Sequence, residues 1–124
     1  MECGLDLVDV ERVRDLVQRH GSRFLARVFT DREVVHCQGR VERLAARIAA
    51  KEAVAKALGT GLAGVGWREI EIVSEEGGKP TVRLHGRARV VAAAAGLTGF
   101  SVSLTHTAAV AGAVAVAYGV PVEP

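Results

Sequence analysis

Hydrophobic residues in this chain fall into two spacings, and the switches between them mark out the elements. The first stretch, Cys3-Gly4-Leu5-Asp6-Leu7-Val8, reads as a short strand with an acid in its middle. Val10, Val13, Leu16 and Val17 then recur at helical spacing, while Glu11, Arg12, Arg14, Asp15, Gln18 and Arg19 face away. Gly21 stops that helix, and Ser22 is placed to cap a second, short one through Phe24, Leu25 and Val28. Thr30-Asp31-Arg32-Glu33 is a capping box: the threonine accepts from the third backbone N–H and the glutamate reaches back. The longest helical pattern runs from Val41 to Leu58. It is rich in alanine, anchored by Leu44, Ile48 and Leu58, and ends at Gly59. A glycine-rich turn from Gly59 to Gly66 follows. Trp67 to Ser74 alternates Ile70 and Ile72 with Glu69 and Glu71, the pattern of a half-buried strand. Glu76 to Pro80 is a turn, and Thr81 to Leu84 a returning strand. Gly86 to Ala95 reads as a helix of small residues, and Phe100 to Thr105 and Ala109 to Ala117 as two closing strands. The last strand is small or apolar on both faces from Val110 to Val116, so it wants cover on both sides, from the core or from a neighbouring subunit.

These elements make an α+β chain with strands at both ends and a long central helix. Its 124 residues fit one domain, 1–124. Hydrophobic residues are 49% of it and aromatics only 4%, so the core is built from Val, Ala and Leu with close backbone approach. A chain this small buries a modest fraction of its surface and gains from oligomerisation. The net charge of +2 is too weak for a nucleic-acid binder, yet it allows a local basic face for an acidic partner. Cys3 and Cys37 have no metal-binding spacing and read as free thiols of a reducing compartment. Glu2, Asp6 and Asp9 interrupt the opening residues, and no charge-free run is long enough for a membrane span. The expectation is a cytoplasmic protein without nucleic acid or membrane as partner.

Chemistry concentrates on the central helix. Glu52 and Lys56 are four apart and share a face, and Arg47 and Lys51 form a second four-spaced pair. Taken alone, such pairs are ordinary solvated helix charges. Here they sit among alanines, which suit a tightly packed helix, and are followed at once by Gly59-Thr60-Gly61, a turn whose backbone N–H groups can meet phosphate oxygens. Asp6 is an acid in an apolar strand and wants a cation, a helix N-terminus or a metal, unless it lies on a solvated edge. Asp6 and Glu52 together would offer Mg2+ two hard oxygen ligands, whereas no His or Cys spacing supports zinc. His106 closes Ser101-Val102-Ser103-Leu104-Thr105-His106-Thr107, where hydroxyls and an imidazole crowd a strand end suited to phosphate, ribose or plain solvent.

Together these pieces resemble the holo-acyl-carrier-protein synthases. Gly4-Leu5-Asp6-Leu7-Val8 is similar to their opening G-[IL]-D-[IL]-V, and Phe29-Thr30-Asp31-Arg32-Glu33 to their F-T-x-x-E. The run from Arg47 to Gly61 resembles their R-F-A-A-K-E-A-x-x-K-A-x-G-T-G, with Ile48 in place of the usual Phe. Gly78-Lys79-Pro80 and Ser103 to Thr107 match in order. The resemblance spans nearly the whole chain.

The resemblance implies a small 4'-phosphopantetheinyl transferase fold, an antiparallel sheet packed with a long central helix. It implies an enzyme of fatty acid and lipid biosynthesis that moves 4'-phosphopantetheine from coenzyme A to a serine of apo acyl carrier protein and releases 3',5'-ADP. In that scheme Asp6 and Glu52 hold Mg2+, and Lys56 stabilises or protonates the departing oxygen. Arg47, Gly59, Thr60, Gly61, Thr105 and His106 bind coenzyme A, and Lys79 and Pro80 border the adenine. The base for the carrier serine is open between a metal-held water and Glu33. Arg12, Arg23, Phe24 and Arg27 would dock the acidic carrier protein. The family's trimers imply a homotrimer with sites between subunits. Two other readings are a carrier-binding module of the same fold without catalysis, which need not keep Asp6, Glu52 and Lys56 together, and a generic oligomeric scaffold or nucleic-acid binder, which the scarcity of aromatics disfavours.

Overall fold

The computed structural model describes residues 1–74 and 78–119. Its elements are β1 (Glu2–Asp9), α1 (Val10–His20), α2 (Ser22–Val28), α3 (Asp31–Cys37), α4 (Val41–Leu58), α5 (Gly61–Gly64), a 3-10 turn (Trp67–Glu69), β2 (Ile70–Ser74), β3 (Pro80–Leu84), α6 (Gly86–Ala94), β4 (Gly99–His106) and β5 (Val110–Tyr118). One antiparallel sheet has the order β1-β5-β4, with Asp6 opposite Ala113 and Leu104 opposite the same alanine from the other side. β2 and β3 form a second, two-stranded antiparallel sheet.

Helix α4 runs through the middle. From Leu44 to Leu58 it is buried on every side, and only Glu52 and Lys56 reach solvent. Its alanines make this possible, because a wide helix could not lie between the sheet and the β2 side at such short range. Ala49, Ala50, Ala53, Val54 and Ala57 join Ala113, Ala115 and Ala117 of β5 and Ile70 and Ile72 of β2 in one core. At the closest point there is no side chain at all, since a Cβ on Gly4 would run into the Ala53 carbonyl. Gly59 ends the helix in the left-handed region, at φ 81°, and its N–H reaches Lys56 O at 3.0 Å. A second core gathers Val10, Val13, Val28, Phe29, Cys37, Leu44 and Ile48 beneath α1, α2 and α3.

The helix and strand expectations hold with four corrections. Ser22 makes no cap bond; Gly21 precedes α2 at φ 52°, and Ser22 is already helical. The glycine-rich segment holds a helical turn, α5, rather than turn alone. β2 starts at Ile70, after the 3-10 turn, and is buried on both faces, because Thr30 at the start of α3 covers Glu71 and bonds it. Glu69 is not a strand residue. Its carboxylate accepts from Gly66 N at 2.6 Å and from the N–H groups of Arg87 and Ala88 at the start of α6. The expected turn at Glu76–Pro80 lies partly outside the described residues. β5 buries Ala111, Ala113, Ala115 and Ala117 against α4, while its other face leaves Val114 open beside Leu5 and Leu7. No helix among the described residues is long and apolar enough to cross a membrane.

Candidate active site

The open stripe of α4 lies against β1. Gly4 lets the strand settle on the helix, and the alternation of β1 then turns Asp6 inward while Leu5 and Leu7 face out. The Lys56 ammonium donates to Asp6 Oδ1 at 3.0 Å and to the Leu5 carbonyl at 2.9 Å. Glu52, one turn back along the helix, sits beside the same aspartate. Burial, then the hydrogen bond and charge of Asp6, push the Glu52 carboxyl up to about 7. The other Asp6 oxygen, Oδ2, is buried and has no donor partner among the described residues apart from whatever proton the neighbouring Glu52 carboxyl shares with Asp6. Two crowded carboxylates form a donor set that a hard cation satisfies. No cluster of three or more His, Cys, Asp or Glu occurs among the described residues, which therefore offer no closed metal cage. Mg2+ fits such a half-site, since it keeps waters and takes substrate phosphates as further ligands.

A raised carboxyl pKa has a stability consequence of definite sign. Folding lifts the Glu52 pKa, so the metal-free fold gains from this group below about pH 4.5 and loses that gain as pH rises through about 7. After allowance for solvent screening the effect is of order 1 kcal/mol, or about 4 °C in Tm. Melts at about pH 5 and about pH 8 are expected to show this slope in the native chain and not in Glu52→Gln, with Mg2+ restoring stability at the higher pH. A native Tm that ignores Mg2+ at about pH 8 would remove the carboxylate pair as a cation site.

Two cavities flank α4. The first, of about 520 Å³, opens beside Glu52 and is lined by Arg12, Leu16, Phe24, Ile48 and Trp67 among others. Two of the expected docking residues, Arg12 and Phe24, therefore share a surface with Glu52. Arg12, Arg23 and Arg27 are exposed, and no ion pair holds any of them among the described residues. The second cavity, also about 520 Å³, brings together Arg47, Lys79, Pro80 and His106 from three separate parts of the chain. Arg47 is only 5% exposed; its Nη2 donates to Ser74 Oγ at 3.2 Å, it lies against the Cys37 thiol, and its Nε has no nitrogen or oxygen acceptor among the described residues. Five residues along a helix turn Arg47 about 140° away from Glu52, so the two clusters occupy different sides of α4. Thr105 lines neither cavity. Gly59, Thr60 and Gly61 lie past the end of α4 beyond Lys56, where the Thr60 hydroxyl is buried and unpartnered.

Lys51 does not pair with Arg47 along the helix, as its spacing had implied. It is fully buried and reaches Glu33 Oε1 at 2.7 Å, Ile70 O at 2.6 Å and Trp67 O at 3.0 Å. Glu33 spends its other oxygen on Ile72 N at 3.1 Å, in addition to its capping bond from Thr30 N. This buried pair ties α3, α4 and β2 together behind the site. It also leaves Glu33 without access to a substrate, which removes it as the base. Burial lowers the Lys51 pKa, and the Glu33 charge works against that shift. The sequence showed only half of this pair, the capping box.

The chain belongs to the 4'-phosphopantetheinyl transferase superfamily, whose pattern matches residues 2–113 and so takes in both cavities and the carboxylate pair. More narrowly, it is 49% identical over 118 residues to the holo-[acyl-carrier-protein] synthase of Moorella thermoacetica, covering 93% of this chain and 91% of that one. The synthase of Herpetosiphon aurantiacus is 47% identical over 111 residues, covering 84% and 87%. The crystal structure of the Helicobacter pylori synthase in complex with coenzyme A superposes with a TM-score of 0.85 at 28% identity, covering 94% of this chain and 99% of that one.

Proposed function

We propose that this chain is a holo-[acyl-carrier-protein] synthase. It transfers the 4'-phosphopantetheine arm of coenzyme A to a serine of apo acyl carrier protein and releases 3',5'-ADP. The observation that carries the reading is the single open stripe of a buried helix, Glu52 and Lys56, set against Asp6. Incubating the protein with apo carrier protein, coenzyme A and Mg2+ and weighing the carrier tests it. A carrier whose mass stays unchanged would refute it.

The residues divide the work. Asp6, through Oδ2, and Glu52 would hold Mg2+. When bound, the metal neutralises the pyrophosphate and makes its phosphorus a better electrophile. The serine oxygen gives up its proton to water and forms a bond to that phosphorus as the bond to the oxygen of 3',5'-ADP breaks. Lys56 is 55% exposed and anchored on Asp6 and the Leu5 carbonyl, which leaves its ammonium free to meet the departing negative charge. Arg47, Lys79, Pro80 and His106 would take the nucleotide half. We assign the enzyme to the cytoplasm, as one domain of fatty acid synthesis.

The α1 and α2 face is the carrier dock in this reading. Its Arg12, Arg23 and Arg27 are exposed and held by no ion pair among the described residues, and Arg12 and Phe24 line one cavity with Glu52. Charge reversal at Arg12 or Arg23 is expected to raise KM for the carrier about tenfold at low salt and leave KM for coenzyme A nearly alone. Equal changes in both constants would move the dock elsewhere.

A homotrimer with shared sites is the arrangement we favour. The metal half and the nucleotide half lie on different sides of α4 in one chain, and coenzyme A must touch both. The outer face of β1 and β5 offers an apolar seam for a neighbour, with Leu5 64% and Leu7 70% exposed beside Val114. Asp6→Asn and His106→Ala variants, each weak alone, are expected to regain activity when their subunits are mixed and exchanged. Sites within one chain would regain none, once exchange is verified independently.

A further inference from the structure

A third cavity, a groove of about 460 Å³, lies between β3, α6 and the start of β4, and it shares no lining residue with the other two. Its lining sorts into two ends. Arg83 stands on β3 and His85 just beyond it. Gly86 then turns the chain at φ 53°, and Arg89 follows in the first turn of α6, where its N–H donates to the His85 carbonyl at 3.4 Å. This corner gathers three side chains able to carry positive charge. The nine residues of α6 lead about 13 Å away from it. Towards that far end the groove is lined by Ala92, Ala93, Leu97 and Phe100, and Thr98 is its only other polar side chain. No carboxylate lines the groove. Glu71, opposite Arg83 in the β2–β3 register, has one oxygen 3.0 Å from His85 Nε2 and accepts with the other from the Thr30 hydroxyl at 2.6 Å. Glu69 is taken up by the N–H groups at the start of α6. Arg83 and Arg89 are exposed, and no ion pair holds either among the described residues.

Cations at one end of a groove and apolar side chains at the other fit a ligand with one anionic head and one apolar tail. Two guanidinium forks at the head match the planar, two-oxygen geometry of a carboxylate. An extended acidic peptide fits worse, because its charges would fall along the groove, where no cation meets them. We propose that the groove binds an alkyl carboxylate of medium length: Arg83 and Arg89 hold the head, and the chain lies along Ala92, Leu97 and Phe100. Leu97 is buried and Phe100 packs on the main core, so the tail gains a firm apolar floor. The ligand is a third one, beside coenzyme A and the carrier protein, and it leaves the cavities of both free.

The test is calorimetric titration of the native protein with acetate, hexanoate, octanoate and decanoate, all kept below micelle formation, and with decylammonium as the ligand of opposite head charge. Decanoate is expected to fill one site per chain. Affinity should rise about twofold to fourfold per methylene from hexanoate upward, and acetate and decylammonium should not bind. Arg83→Ala and Arg89→Ala are each expected to weaken decanoate about tenfold, and Arg89→Lys, which keeps the charge without the fork, should recover part of the loss. Ala93 is exposed, so Ala93→Trp should fold and block the apolar end, ending decanoate binding while acetate stays without effect. Melts establish that each variant is folded. Saturation with 3',5'-ADP should leave decanoate binding unchanged. A native chain that binds no decanoate would overturn the proposal, as would equal binding of decanoate and decylammonium. Binding that ignores all four variants, or that 3',5'-ADP abolishes, would place the decanoate elsewhere and overturn it too.

Discussion

Asp6→Asn and Glu52→Gln are each expected to cut arm transfer by about a hundredfold or more while the protein stays folded. The loss is large because each change removes one of two carboxylates that together make the cation site, and neither completes it alone. The fold survives because the ion pair that Asp6→Asn breaks is with a lysine 55% exposed, and exposed pairs contribute about 0–1 kcal/mol. Asp6→Asn also removes the neighbouring charge that, after burial, raises Glu52. The measurement is carrier mass against time across a range of Mg2+ concentrations, with a melt of each variant. Near-native rates at low Mg2+ in either variant would end the assignment of these two carboxylates.

The second large effect falls on stability. Lys51→Met leaves the Glu33 carboxylate wholly buried without its cation, which is expected to cost about 3–5 kcal/mol. That is a large part of the total for a domain of this size and corresponds to a fall in Tm of about 10 °C or more. Pairing it with Glu33→Gln is expected to recover part of the loss, because the second change discharges the stranded group. Denaturant unfolding of the native chain, both single variants and the double variant gives the coupling. Lys51→Met within about 1 kcal/mol of native stability would show that the pair carries no such burden.

What the chain disclosed by inspection follows the range of each interaction. Helix α4 was readable to both ends, because its signals, the alanine run and the αL glycine at Gly59, are local. The Thr30–Glu33 box was readable for the same reason. The partner of Glu33 was not, since Lys51 is 18 positions away and its spacing along the helix pointed to Arg47 instead. Glu71 was read as solvent-facing because strand alternation says which face a residue is on, but not whether another element covers that face. Thr30 does. That Asp6 and Lys56, 50 positions apart, belong to one site was implied only by resemblance of motifs, and their direct contact was not foreseen. His36 and Arg43, which line the second cavity with Arg47, were passed over because they lie outside those motifs and meet it only through the packing of α3 on α4.

The glycine of β1 gives the site a particular kind of tolerance. Asp6 and Glu52 are borne by a strand and a helix whose main chains touch at Gly4 and Ala53, with no side chain between them. Spacers made of side chains hop between rotamers and repack as temperature or sequence changes. Two main chains in direct contact have nothing to repack, so the spacing of the strand and helix that bear the carboxylates is set by the backbone. Substitutions elsewhere in the core should therefore reach the transfer rate only by loosening the whole fold, whereas Gly4→Ala should open the gap itself and slow the enzyme even under conditions where the protein remains folded.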